Sequence, residues 1–130
     1  MPINIKPENL KLHISVGDNT LVLVLRPCTT EEVFQYFQKM REIGDENMYD
    51  ASSHCFRFEF IDTLLVDIKA LNAQGDEERV VYSDPGTGEE KPLTPEVADW
   101  KKYIDDLHKL RAATQLEQKY LKMETAKLKN

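Results

Sequence analysis

The sequence has no long hydrophobic run. Its longest apolar stretch, Leu21–Leu25, is five residues in a chain of 130, far short of the ~20 a membrane-spanning helix requires. It has no excess of positive charge either: the formal net charge is −6 and the isoelectric point about 5.1. A protein held on nucleic acid by phosphate contacts would have that electrostatic term working against it. Cysteine is scarce. Cys28 and Cys55 are the only two, and neither has a second cysteine at metal-ligand spacing. His54 abuts Cys55, but adjacent residues rarely serve one closed metal site, so free thiols are expected. No signal peptide is expected, because Met1–Asn9 is polar and interrupted by proline. A cytoplasmic protein is the expectation.

Recognisable chemistry is also missing. His13, His54 and His108 fall in three separate elements, and none belongs to a histidine-rich spacing motif. The glycines of Ser83–Leu93 lack the spacing and the lysine–hydroxyl ending of a phosphate-binding loop, and the segment is acidic. Neither Asp45–Asp50 nor Asp76–Asp84 has calcium-loop spacing. The carboxylates at Asp62, Asp67, Asp105 and Asp106 read as solvated helix faces. No catalytic, cofactor or metal residue is assigned, and neither enzymatic activity nor a small-molecule substrate is expected.

What is present is a chain of ordinary globular composition, 41% hydrophobic and 31% charged, of a length suited to one domain, 1–130. Its organising stretch is Leu21–Met40. Leu21–Leu25 is too short for a lone helix and reads as a strand buried on both faces. Pro27, with no amide hydrogen, ends the ladder. Thr29 stands three residues before Glu32, the spacing of a capping box, with Thr30 as the rival cap. Val33, Phe34, Phe37 and Met40 follow at helical spacing, so a helix is expected from about Thr30 to Ile43, with Gly44 as its terminator. Before this stretch, Leu10–Val16 alternates apolar and polar residues, and Gly17-Asp18-Asn19 is turn chemistry. A β-hairpin is expected, with His13 on its solvated face.

His54–Leu71 satisfies two periods. Phe56, Phe58 and Phe60 alternate like a strand, while Phe56, Phe60, Ile61, Leu64, Leu65 and Ile68 form a longer helical stripe that leaves Arg57, Glu59 and Asp62 on the other side. A helix from about Ser53 to Leu65 is expected, with a strand near Leu65–Leu71 as the continuation. A turn around Gly75 and a short strand at Arg79–Tyr82 would make a second hairpin, followed by a surface loop over Ser83–Leu93. Thr94-Pro95-Glu96 is a helix start, and nothing after it is glycine or proline, so a long helix to about Lys127 is expected. Val97, Trp100, Tyr103, Ile104, Leu107 and Leu110 would dock it on the core. Beyond Leu110 the stripe thins to Ala113, Leu116, Tyr120 and Met123, and Leu116, Tyr120 and Met123 are the candidate protein-binding residues. The fold class expected is α+β, mostly helical: a core over 10–93, in which an N-terminal β-hairpin packs on two helices, then a long C-terminal helix over 94–130 whose distal part projects or meets a second chain.

The hairpin leading into LVLVLRPCTTEEVFQYFQKM, followed by FRFEFIDTLLVDIKALNAQG, resembles the tail assembly chaperones of long-tailed bacteriophages and prophages. The resemblance spans Leu10–Gly75: a strand–proline–helix corner and a central apolar helix. The helix after Thr94 has no residue-by-residue counterpart. The resemblance implies a holding function, in which the chain coats the tape-measure protein, brings tail-tube subunits to it and self-associates as a homo-oligomer. A coat of this kind needs exposed apolar surface. The alternatives are a structural head–tail connector or tail-completion protein, and a protein-binding regulatory adaptor.

Overall fold

The computed structural model describes residues 8–47 and 50–121. Its architecture is α+β: a four-stranded antiparallel sheet, three α-helices and a separate two-stranded ribbon. Strands β1 (Leu10–Val16) and β2 (Asn19–Leu25) form the expected hairpin, with Leu12 opposite Leu23 and Ile14 opposite Leu21. β2 is a central strand, because β3 (Leu65–Leu71) pairs on its other side. Leu23 and Leu25 enter the main core, while Val22 and Val24, equally buried, face the opposite side of the sheet. There Lys11, His13, Asp67 and Lys69 stand beside them in register. His13 is exposed, as its strand position requires.

The strand–proline–helix corner is tied at both ends. The Arg26 amide donates to the Leu64 carbonyl at 2.9 Å, fixing the corner to the end of the central helix. Thr29 caps α1 (Thr30–Ile43): its hydroxyl accepts the Glu32 N–H at 3.1 Å, and the Glu32 carboxylate accepts the Thr29 N–H at 2.9 Å. Gly44 ends the helix at φ 81°, ψ 158°, a conformation open to glycine alone. The inward face of α1 is also rotated from expectation. Val33 and Tyr36 are buried and Phe37 and Met40 half-buried, whereas Phe34 keeps 47% of its surface exposed. Tyr36 takes the inward place because its ring meets Phe56 and Phe60 at 5.3 and 4.7 Å and its hydroxyl bonds to Glu117.

Of the two periods in His54–Leu71 the helical stripe prevails: Phe56, Phe58 and Phe60 lie in a helix, and the strand is the expected continuation over Leu65–Leu71. α2 spans Ala51–Leu64 and passes directly into β3 at Leu65. One residue departs from the stripe: Arg57 is not on the solvent side but only 4% exposed, on the inner face with Ser53, Ile61 and Leu64. The second hairpin is shorter than expected. β4 is only Glu77–Glu78, paired to Ala70 and Leu71. Val81–Ser83 (β5) instead pairs with Glu90–Pro92 (β6), so the stretch expected to be a plain loop is a ribbon with a turn between. In that turn Asp84 accepts the Gly86 N–H and pairs with Lys91 at 2.6 Å.

The long C-terminal helix is overturned. Thr94–Asp99 makes successive turns, with Val97 N–H to Thr94 O and Trp100 N–H to Val97 O. Trp100–Tyr103 is a 3₁₀ turn, Ile104 is extended, and α3 covers only Asp106–Leu116, continued by a π-helical turn at Glu117–Leu121. Tertiary burial outweighs local propensity here. A straight helix from Thr94 to Asp105 would run ~18 Å off the end of α3 and carry Trp100 and Ile104 away from the core, where both are buried. Asp105 then caps the new start through the Leu107 N–H at 2.8 Å.

α3 packs on α2 and along β1. Its Arg111 and Gln115 donate to the carbonyls of Ser15 and His13, at 2.9 and 2.6 Å. These are outward-facing groups of an edge strand, which an unblocked edge would offer to another chain.

Candidate functional site

Of the expected protein-binding residues Leu116, Tyr120 and Met123, only the Leu116 side chain is among the described residues. Leu116 is 1% exposed and lies in the main core with Ala112, Ala113 and Leu121, so it is unavailable to a partner. Ala113 and Leu116 of the stripe after Leu110 face the molecule's own interior, because α3 packs on α2 and β1. The Tyr120 side chain and Met123 lie outside the described residues.

Two charged pairs cross between α2 and α3 (Asp106–Leu116 and the turn after it). Arg57 Nε donates to Glu117 Oε1 at 2.8 Å, and the same carboxylate accepts the Tyr36 hydroxyl. Burial pushes the Glu117 carboxyl up, to about 7, while the adjacent guanidinium favours its ionised form. Lys109, 4% exposed, meets Asp62 Oδ1 at 3.0 Å, and Lys101 donates to the Asp62 carbonyl at 2.5 Å. The earlier residue of one helix pairs with the later residue of the other in both cases, so the pairs fix α2 and α3 antiparallel. This chemistry is architectural.

Among the described residues a recessed surface lies at the hairpin-turn end of the sheet, away from Glu117. A groove of about 310 Å³ runs between the sheet, the β5–β6 ribbon and the start of α3. Ile68, Leu93 and Ile104, all buried, form its base; Val16, Val81 and Tyr103 line it while each remains about two-fifths exposed. The ribbon is held at its root by the Leu93 N–H to Val80 carbonyl bond at 2.8 Å, and the Tyr82 ring packs on Tyr103 at 4.3 Å. Asn19, Thr20, Arg79, Asp105 and His108 supply its polar groups. His108 Nδ1 is buried with no hydrogen-bond partner among the described residues. Leu107, next to it, is 54% exposed. A second groove of about 330 Å³ adjoins the first and shares Ile68, Ala70, Arg79, Val80 and Leu93 with it.

Periodicity could not reveal this groove. Val16, Val81, Leu93 and Tyr103 come from four separate stretches of the chain, and a period within any one of them says nothing of the others.

Cys28 and Cys55 are both free thiols, half-buried and exposed respectively. Burial pushes the Cys28 thiol up to about 11, which keeps it protonated and unreactive. No cluster of three or more His, Cys, Asp or Glu that could hold a metal ion occurs among the described residues. No helix among them is long and apolar enough to cross a membrane. Neither a family model, nor a curated protein, nor a solved structure matches the chain.

Proposed function

We propose that this chain is a non-enzymatic assembly chaperone of a long phage or prophage tail. It binds the tape-measure protein in the host cytoplasm, as a homo-oligomer, and recruits tail-tube subunits to it. The observation that carries the reading is the apolar groove at the end of the sheet, with Val16, Val81, Tyr103 and Leu107 left exposed at that end of the molecule. Exposed apolar side chains gathered around a concavity are a common mark of a surface that binds protein. Covering the apolar face of a long helical protein is what the holding function demands. The reading is further supported by the corner that carries the sequence resemblance: a central strand, Pro27 and a capped helix.

The test is co-expression with the tape-measure protein of the same phage or prophage. The expected result is a soluble complex that keeps the tape-measure protein from aggregating, together with absence of the chain from finished particles. A tape-measure protein that aggregates regardless would overturn the reading. Stoichiometric presence of the chain in purified tails would replace it with the structural connector.

A further inference from the structure

The charge of this protein is not spread evenly. Between Asp76 and Asp106 the sequence has ten carboxylates against four lysines and arginines, which is the whole of the formal net charge of −6; the remainder of the chain is neutral. That same segment forms one wall of the double groove. It contributes Glu77, Glu78, Asp105 and one cation, Arg79, to the two linings, together with Val80, Leu93 and Tyr103. The opposite wall, from β2 and β3, supplies Leu21, Ile68 and Ala70 beside the polar Asn19, Thr20, Asp67 and Lys69. The linings carry four carboxylates, Asp67, Glu77, Glu78 and Asp105, against Lys69 and Arg79, beside apolar residues, and this excess of negative charge suits a ligand with an apolar stripe and a cationic back. Two adjoining concavities that share a row of residues suit an elongated ligand better than a compact one.

We propose that the groove docks an amphipathic α-helix of a partner protein, apolar on one face and rich in lysine or arginine on the other. The apolar stripe lies over Ile68, Val81 and Tyr103. The cationic groups face Glu77, Glu78 and Asp105. Apolar contact supplies the affinity, and the charge selects basic over acidic helices and speeds their encounter. The proposal rests on the chaperone reading and narrows it: among the helical stretches of a long partner, the basic ones bind first.

The experiment uses the full chain and labelled peptides of about five helical turns, ~18 residues, followed by fluorescence anisotropy. One peptide has leucines on one face and lysines on the other. A second replaces the lysines with glutamates. A third has the composition of the first with its facial pattern scrambled. Val81→Arg blocks the apolar wall, and the double variant Glu77→Lys, Glu78→Lys reverses the flank; all three positions are exposed, and circular dichroism checks that each variant folds. The leucine–lysine peptide is expected to bind the native chain, to lose at least tenfold in affinity with either variant, and to weaken as salt rises. Equal binding of the glutamate peptide overturns the charge selection, and equal binding of the scrambled peptide overturns the requirement for an apolar face. Unchanged binding to Val81→Arg places the contact elsewhere and overturns the site. A change in oligomeric mass of Val81→Arg without peptide makes a second copy the occupant and overturns the partner helix. If no peptide binds while the tape-measure complex still forms, the groove inference fails and the chaperone reading stands; if the complex fails as well, both fall.

Discussion

At the scale of single residues, Glu32 shows how much a short motif can concentrate. Its carboxylate closes the capping box on Thr29 and also accepts both Arg26 terminal nitrogens, each at 2.8 Å. Those hydrogen bonds, Arg26 first and the Thr29 N–H after it, hold the carboxyl at about 2, well below its ordinary 4.5. A folded-state value below the unfolded one means that the folded state releases the proton more readily. The stability Glu32 contributes is therefore present above the ordinary carboxylate value and is lost as pH falls from about 4.5 toward 2. Melting temperature plotted against pH should fall more steeply across that window for the native chain than for Glu32→Gln. Parallel curves would mean that the Arg26 pair contributes nothing. Thr29→Ala should cost about 1 kcal/mol in a denaturant melt, the usual worth of a cap, and Thr30→Ala only a few tenths, because Thr30 is the first helical residue rather than the cap. The reverse order would move the boundary by one residue. This corner was legible in the sequence because every signal in it is local: proline, a capping hydroxyl and a carboxylate three residues on.

At the scale of elements, locality explains what was and was not legible. The hairpin, α1, α2 and the change from helix to strand at Leu65 all follow from periods contained within single stretches. Arg57 did not. A guanidinium on an apolar helix face reads as solvent-facing until its partner is known, and that partner, Glu117, is 60 residues away. The pair ties α2 to the π-helical turn after α3. Removing one partner of a buried pair strands the other. Arg57→Ala should therefore destabilise the fold by about 3 kcal/mol, the low end for such a pair, since Glu117 keeps 30% of its side-chain surface in water. Replacing both Arg57 and Glu117 with methionine should cost less than the single change. If the double variant is the worse of the two, the pair is net stabilising and more than a register device. The break at Ile104–Asp105 was equally hidden, although Asp105 is a good capping residue. An unbroken apolar stripe from Val97 to Leu110 masked it, and only the burial of Trp100 and Ile104 decides against continuous helix. Trp100→Ala should accordingly cost about 3–5 kcal/mol, as for a large buried ring. A loss under 1 kcal/mol, read by urea unfolding, would mean the ring is not part of the core.

At the scale of the whole molecule, the decisive fact is that the core closes only with α3 and the turn after it. The thin stripe after Leu110 suggests an arm that a monomer could lose. Instead Ala112, Ala113, Leu116 and Leu121 join one cluster with Leu12, Leu23 and Ile61. Glu117 belongs to the same region, and Gln115 covers an outward carbonyl of β1. A chain ending at Arg111 would lose two buried leucines, each worth about 1.5–3 kcal/mol, and would strand Arg57. Against a total stability of about 5–15 kcal/mol, that loss leaves a chain unfolded or barely folded at room temperature. It would also bare part of the β1 edge, and exposed edges pair with one another. The truncated chain should therefore show no cooperative thermal transition by circular dichroism and should scatter light as a growing aggregate. A truncated chain that melts cooperatively near the native temperature and stays monodisperse would mean that the C-terminal segment is an arm after all. Leu116 would then return as a candidate contact for another chain, in competition with the groove proposed at the opposite end of the sheet.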